Sequence, residues 1–158
     1  MNIECDREES GLPQFDCACA TVRRVARMLT QLYNEELPAR LEAPQFALMS
    51  ALDRRPGCTQ SALARAAAFD KTTISRNIAL MRRNGWIETA QGDDRRERGL
   101  RLTTAGREVL RAARPGWRRA QQRLRSAMTG EEWEQMWGVL NNLTAAAHRA
   151  SQGKGDSQ

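Results

Sequence analysis

The sequence lacks the features that define several classes of protein. It contains no Cys-x-x-Cys pair, and His148 is its only histidine, so a structural zinc site is not expected. No apolar run is long enough to cross a bilayer, and the first sixteen residues are acidic and polar, unlike a secretory signal. We therefore expect a cytoplasmic protein that makes no membrane contact.

Catalytic constellations are missing as well. The sequence has no nucleophile paired with a base, no glycine-rich phosphate loop and no cluster of metal ligands. A single histidine in a predicted interface helix is a poor candidate for a general base. We expect a protein that is not an enzyme and that has neither a cofactor nor a metal ion.

What the sequence does contain is a folded domain with a basic surface. Its 158 residues are 41% hydrophobic and 28% charged, which is typical of a soluble globular chain. The formal net charge is +6, and nearly all the basic residues are arginine. Acids crowd the first sixteen residues and arginines crowd residues 76–125. Arginine suits phosphate because its guanidinium is planar and always charged, so this distribution favours a nucleic-acid partner.

Apolar spacing predicts two helices in the first third of the chain. We expect residues 1–15 to be a flexible arm and Asp16 to cap a first helix that Pro38 ends. Pro44 suits the first position of a second helix. The core face of that helix is predicted to be Ala47, Leu48, Ala51 and Leu52.

The middle of the chain predicts two short helices followed by a hairpin. Thr59 is a good N-cap for a third helix, Asp70 for a fourth, and Gly85 is a natural stop for the fourth. "WIETA" and "GLRLT" then have the composition of two strands joined by an arginine-rich loop.

Two longer helices complete the prediction. Thr103 caps a fifth helix, which "RPGW" should kink or briefly break, and whose arginines should form a hydrated face. Thr129 and Glu132 form a capping box for a sixth helix, and residues 151–158 read as a disordered tail. Trp133 and Trp137 would be costly to leave in water, so the first, fifth and sixth helices predict a dimer interface.

The fourth helix has two chemically different faces. Its buried stripe is Ile74, Ile78 and Met81, and the opposite face is small, hydroxylated and cationic, as in a helix that enters a major groove. Arg76 could reach guanine, while Lys71 and the hydroxyls could hold phosphates. The exposed face comprises Thr72, Ser75, Arg76, Ala79, Arg82 and Arg83. For Arg82 and Arg83, a solvated helix end and phosphate contact remain equal alternatives.

The hairpin loop carries like charges that the protein does not need to neutralise. Arg95, Arg96 and Arg98 lie at its tip. The negative electrostatic potential of a DNA minor groove attracts arginine side chains. Asp94 is well placed to hold one of these arginines in position. The hairpin is therefore predicted to be the wing of a winged helix-turn-helix.

The segment "DRRERGLRLTTAG" resembles the wing signature of the MarR family of bacterial regulators. Asp94, Arg96, Leu102, Thr103 and Gly106 fall on that signature at the expected spacing. The segments "PQFALMSAL" and "TQSALARAAAFDKTTISRNIALMRRNGWIE" are similar to the family's second helix and helix-turn-helix, and the likeness covers residues 16–150.

This resemblance implies a mainly α fold with a small β-hairpin. Residues 44–103 would form a winged helix-turn-helix DNA-binding domain, and residues 16–43 and 104–150 would form the dimerisation helices. It also implies a homodimer on a pseudo-palindromic site of double-stranded DNA, acting as a repressor that a small-molecule effector releases. Thr72, Thr73, Ser75 and Arg76 would lie in the recognition helix, and Asp94 and Arg96 would form the wing pair. An effector site would lie among the first, second and fifth helices, but nothing in the sequence identifies its ligand.

Two alternatives within the same fold remain open. Cys17 and Cys19 would lie in the first turn of the first helix, where the helix dipole and Arg23 favour a reactive thiolate. The chain could then sense oxidants or electrophiles, although residues two apart on a helix point to different sides and should not bridge each other. Burial of both thiols in a dimer interface is the simpler explanation. A non-specific, nucleoid-type DNA binder is the other alternative.

Overall fold

A computed structural model describes residues 16–91 and 98–152 as six helices and three short strands. The expected arm, residues 1–15, lies outside the described residues. Of the expected tail, only Ser151 and Gln152 lie inside, as the last residues of the sixth helix. In chain order the elements are α1 (Ala18–Glu36), α2 (Ala43–Arg54), β1 (Cys58–Thr59), α3 (Gln60–Ala67), α4 (Lys71–Arg83), β2 (Ile87–Gln91), β3 (Arg98–Leu102), α5 (Thr104–Ser126) and α6 (Gly130–Gln152).

Most of the predicted helix caps are confirmed. The Thr59 hydroxyl accepts a hydrogen bond from the Ala62 amide at 3.2 Å, and the Thr103 hydroxyl accepts one from the Gly106 amide at 3.0 Å. Thr129 and Glu132 form the reciprocal capping box, with bonds of 2.7 and 3.2 Å. The Glu132 carboxylate accepts a hydrogen bond from the Thr129 amide. Hydrogen bonding to Thr129 lowers the pKa of Glu132.

Two predicted helix starts were wrong by one residue. Cys17, rather than Asp16, is the N-cap of α1, and its side chain makes no capping hydrogen bond. The second helix begins at Ala43, so Pro44 takes its second position, and Glu42 with Gln45 forms a capping box. Glutamate is a less usual N-cap than aspartate or serine, so the sequence alone does not mark Glu42 as the start of this helix.

The sheet has three strands where the sequence predicted two. Strand β3 lies in the middle and pairs antiparallel with both β2 and β1, in the order β1-β3-β2. The hairpin register places Ile87 opposite Leu102 and Gln91 opposite Arg98. The added strand, β1, pairs Cys58 with Leu100. A strand of two residues is too short to show an alternating pattern, so it cannot be recognised from sequence. It is defined only by its pairing with a distant strand.

The core of the first part of the chain joins α2, α4, the sheet and α5. The predicted stripe of α4, Ile74, Ile78 and Met81, is confirmed as buried. In α2, Leu48 and Leu52 are buried as expected, but Ala47 is exposed and its predicted core position was wrong. Phe46 and Met49 are buried instead, because the face that α2 turns to the sheet is rotated from the predicted one.

The chain divides into two compact units, with the boundary between Arg118 and Arg119. Helix α5 crosses this boundary and continues through Pro115. Of the two outcomes predicted at "RPGW", a kink or a brief break, the break does not occur. Among the described residues, no helix combines the length and the apolar character needed to span a membrane.

Two helices, one in each unit, carry large apolar side chains in solvent. Neither α1 nor α6 contains a buried residue, and every residue of α6 from Trp137 onward is exposed. The exposed apolar residues recur at helical spacing: Val22, Val25 and Met28 in α1, and Trp137, Val139, Leu140 and Leu143 in α6. Trp133 packs edge-on against Trp137, with ring centroids 5.8 Å apart, and covers only part of that ring.

Candidate nucleic-acid interface

Helices α3 and α4 form a helix-turn-helix with a tight connection. Ala68 ends α3 in the left-handed conformation, with φ of 51°, and reverses the chain within three residues. Asp70 then caps α4, because its carboxylate accepts hydrogen bonds from the amides of Thr72 and Thr73, each at 2.8 Å. The Thr73 hydroxyl donates a further bond of 2.6 Å to the same carboxylate, and these bonds lower the pKa of Asp70.

The outer face of α4 is exposed along its whole length. Ile74, Ile78 and Met81 lie in the core. The residues of the opposite side, which are small, hydroxylated or cationic, are exposed: Lys71, Thr72, Ser75, Arg76, Ala79, Arg82 and Arg83. No carboxylate of the described residues forms an ion pair with a cation of this face. Within the described part of the chain, the face is therefore a cationic surface with hydrogen-bond donors and no paired acid.

Two of the predicted site hydroxyls already have partners within the protein. Thr73 is half-buried, and its hydroxyl proton is used on Asp70, which gives this residue a capping role. Ser75 is exposed, and its Oγ accepts a hydrogen bond from Nε2 of Gln60 at 3.1 Å. Gln60 is not among the residues that the sequence predicts for this site. Its only signal was the Thr59 cap, which places it at the first position of α3.

Arg82 connects the fourth helix to the sheet. Its Nη2 donates to the Thr89 hydroxyl of β2 at 3.0 Å, so one guanidinium spans the end of α4 and the adjacent hairpin strand. On the same strand pair, Arg101 and Glu88 form an exposed ion pair of 2.7 Å. The sequence predicted that Arg82 either is solvated or contacts phosphate. Neither prediction included its hydrogen bond to Thr89.

The predicted wing tip lies outside the described residues. Asp94, Arg95 and Arg96 belong to the undescribed segment 92–97, and Arg98 is placed only as a backbone position of β3 opposite Gln91. What the structure places is the base of the hairpin, which follows α4 after only three residues.

The cysteines singled out from the sequence lie at the start of α1. Both Cys17 and Cys19 are exposed. Because Cys17 is the N-cap and has extended backbone angles, the two thiols do not both lie in the first helical turn, as the Asp16 cap would require. Cys58 in β1 is half-buried, and desolvation raises its pKa, so it stays a neutral thiol.

A cavity of about 640 Å³ lies in the first unit among α1, α2 and α5. Its apolar wall includes the rings of Phe46 and Trp117, which stack with centroids 6.0 Å apart. Arg114 pairs with Asp53 at 2.8 Å, so this arginine is not simply part of a hydrated face. The lining comprises Leu29, Thr30, Tyr33, Ala43, Phe46, Ala47, Ser50, Asp53, Arg54, Arg114, Trp117 and Arg118. Burial raises the pKa of Tyr33, which keeps its phenol protonated.

Comparison with known proteins places this geometry in one family. Residues 41–97 match the model of the MarR family. The transcriptional regulator HosA of Escherichia coli O111:H- is 32% identical over 126 residues, which cover 79% of this chain and 93% of the relative. Among solved structures, the Mycobacterium tuberculosis transcriptional regulator MosR in complex with DNA is 34% identical, with a TM-score of 0.74 and coverage of 85% of this chain and 98% of that one.

A more distant structure shares the fold. It is Bordetella bronchiseptica BpsR, whose DNA binding is regulated by 6-hydroxynicotinic acid. It is 20% identical, with a TM-score of 0.73 and coverage of 85% of this chain and 98% of that one.

Proposed function

Because this chain belongs to the MarR family of transcriptional regulators, which bind DNA and are not enzymes, we propose that it is a dimeric repressor that binds a pseudo-palindromic operator. The observation that carries this proposal is the exposed, acid-free face of α4, followed directly by the β2–β3 hairpin. A helix of this kind fits a major groove and a cationic hairpin tip fits the adjacent minor groove.

The residues of the interface have different tasks in this proposal. Arg76, at the centre of the exposed face, contacts guanine, while Lys71, Thr72 and Arg83 bind phosphates. Arg82 holds the hairpin against α4 through Thr89. In the wing we propose that Arg95, Arg96 and Arg98 enter the minor groove and that Asp94 orients Arg96. Thr73 serves the site indirectly, through the Asp70 cap.

A homodimer is proposed from the exposed apolar stripes of α1 and α6. A 23-residue helix without a single buried residue is not stabilised by its own unit, and its apolar stripe needs a covering surface. A second copy supplies an identical stripe and also duplicates α4, as a two-fold symmetric operator requires.

The cavity among α1, α2 and α5 is proposed as the effector site. Its stacked rings favour a flat apolar body, and three arginines against one aspartate favour an anionic group. An aromatic carboxylate combines both features, and 6-hydroxynicotinic acid, which regulates the distant relative BpsR, has this chemistry. Binding there would act on α2, which also packs against the sheet and the helix-turn-helix.

A second candidate is regulation by oxidants through Cys17 and Cys19. The observation that favours it is the exposure of both thiols at the start of α1, where an oxidant in solution can reach them. The non-specific, nucleoid-type binder has no such support, because it does not require the dimer stripes or the ordered hairpin base.

The central test is DNA binding by the full chain to a duplex selected from a random pool. The logarithm of the binding constant should fall linearly with the logarithm of salt, with a slope of about −0.9 per phosphate contacted. Arg76→Ala should weaken binding roughly 10-fold and relax preference at one base pair per half-site. Arg96→Ala should weaken binding and reduce the slope.

The matched control is Arg149→Ala, which removes the same charge from an exposed position of α6. It should change binding little. If Arg76→Ala and Arg96→Ala both bind as tightly as the parent at equal salt, this interface is wrong. If random competitor DNA displaces the selected duplex mole for mole, the chain is a non-specific binder.

A further inference from the structure

The hydrogen bond between α3 and α4 fixes the chemical character of an exposed hydroxyl on the recognition face. Nε2 of Gln60 donates to Oγ of Ser75 at 3.1 Å, so one lone pair of the serine oxygen is occupied. Among the described residues, no acceptor takes the Ser75 proton. Ser75 itself is exposed, one residue before Arg76. The hydroxyl therefore keeps its proton and one lone pair for a partner, so its capacity to donate is intact while its capacity to accept is halved.

A donor and an acceptor read different base edges. In the major groove, guanine offers N7 and O6 as acceptors, adenine offers N7 and thymine offers O4, whereas cytosine offers only its N4 donor. A free serine hydroxyl rotates and accepts or donates as needed, and so discriminates poorly. A hydroxyl that already accepts a hydrogen bond from a neighbouring amide has one lone pair fewer, so donating becomes favoured over accepting.

We propose that Gln60 is a specificity-determining positioning residue, which favours Ser75 as a hydrogen-bond donor and thereby disfavours cytosine at the base that Ser75 faces. The proposal rests on the proposed function, since it takes α4 as the recognition helix. Gln60 is half-buried at the first position of α3. Its effect on base preference acts through Ser75 alone.

The test is selection from a random duplex pool with the full chain, followed by sequencing. The parent should deplete cytosine about 3- to 10-fold at one position of each half-site, the range expected for one hydrogen bond. Gln60→Met removes the donor at similar length and should relax that depletion. Ser75→Ala should relax it as well, and the double variant should match Ser75→Ala. Ser75→Thr keeps the hydroxyl and should preserve the depletion.

The matched control is Gln135→Met, which removes a comparable glutamine hydrogen bond, to Glu131, in α6. It should leave the selected motif unchanged. If the parent yields a motif and Gln60→Met yields the same base frequencies, the inference is overturned while the proposed function stands. If Gln60→Met does not fold, an unchanged motif in Ser75→Ala overturns it equally. A parent that selects no motif refutes the proposed function itself.

Discussion

Gly106 shows how one position of the family signature is explained by packing. A β-carbon added there would overlap the backbone carbonyl oxygen of Trp86, which cannot move without shifting the start of the hairpin. The same carbonyl accepts a hydrogen bond from the Thr103 amide at 3.0 Å, and the Thr103 hydroxyl donates to the carbonyl of Gly85 at 2.6 Å. The Leu-Thr-x-x-Gly pattern therefore fixes the start of α5 against the base of the wing.

Asp70 provides a prediction that depends on pH. Hydrogen bonds from Thr73 and Thr72 lower its pKa in the folded protein, so the ionised carboxylate stabilises the fold above its unfolded pKa of roughly 4. This contribution should be lost as the pH falls through the lower folded value. Asp70→Asn keeps a capping oxygen and cannot titrate. We expect the parent to melt about 2 °C higher than Asp70→Asn at pH 7, and the gap to close below about pH 4.

The measurement is the thermal midpoint of both proteins by circular dichroism between pH 7 and pH 3. Because other carboxylates titrate in both chains, only the difference between the two midpoints reports on Asp70. Asp70→Ala lacks any capping oxygen and should melt below both at neutral pH. A gap that widens on acidification would mean that the carboxylate does not stabilise α4 in its charged form.

Helix boundaries were predictable where their signals are local. Thr59, Asp70 and Thr129 each bond to a backbone amide two or three residues away, and such short-range patterns can be recognised in a sequence. The three-residue α4 stripe was predictable for the same reason. Strand β1 was not, since its pairing with β3 spans about forty residues.

The candidate DNA-binding site is likewise predictable from sequence only where its signals are local. The exposed face of α4 follows from helical periodicity, so Ser75 and Arg76 could be assigned from sequence. The partners of those residues could not, because Gln60 lies fifteen positions from Ser75 and Asp53 lies sixty-one from Arg114. Distant polar pairs depend on how helices pack, and packing angles are not encoded in the spacing of any one helix.

The cavity formed by α1, α2 and α5 leads to a prediction about release from DNA. Adding 6-hydroxynicotinic acid as a probe should lower the affinity of the full chain for its selected duplex by about 5- to 150-fold, the usual range of allosteric coupling. Trp117→Ala removes half of the stacked ring pair and should weaken the response. Fluorescence anisotropy of labelled duplex, titrated with the acid, measures both effects.

The same assay separates the effector from the redox alternative. If Cys17 or Cys19 is the sensor, peroxide should release the parent from DNA, and the serine variant at that position should resist release. Equal release of the parent and both serine variants by peroxide excludes these cysteines as the sensor. If the acid acts equally on the parent and on Trp117→Ala, the ring pair does not hold the effector.

The two units meet different requirements of a DNA-binding protein. The first contains the buried core, the helix-turn-helix and the cavity, and it needs no partner to bury its central residues. The second consists of the end of α5 and of α6, whose residues from Trp137 onward are all exposed. The stability of this second unit is therefore expected to depend on protein concentration, as it does for obligate dimers.

Leu140→Asp tests that dependence, because it places a charge in the middle of the exposed apolar stripe of α6. Burying an unpaired carboxylate in an apolar interface is strongly unfavourable, so we expect the variant to be a monomer of 17.8 kDa where the parent has twice that mass. Losing the second α4 should cut affinity for a two-half-site duplex by about 10²- to 10⁴-fold. Asn142→Asp adds the same charge on the opposite side of α6 and should leave both properties unchanged. Light scattering after gel filtration gives the mass, and a parent that elutes as a monomer would contradict the paired-subunit arrangement.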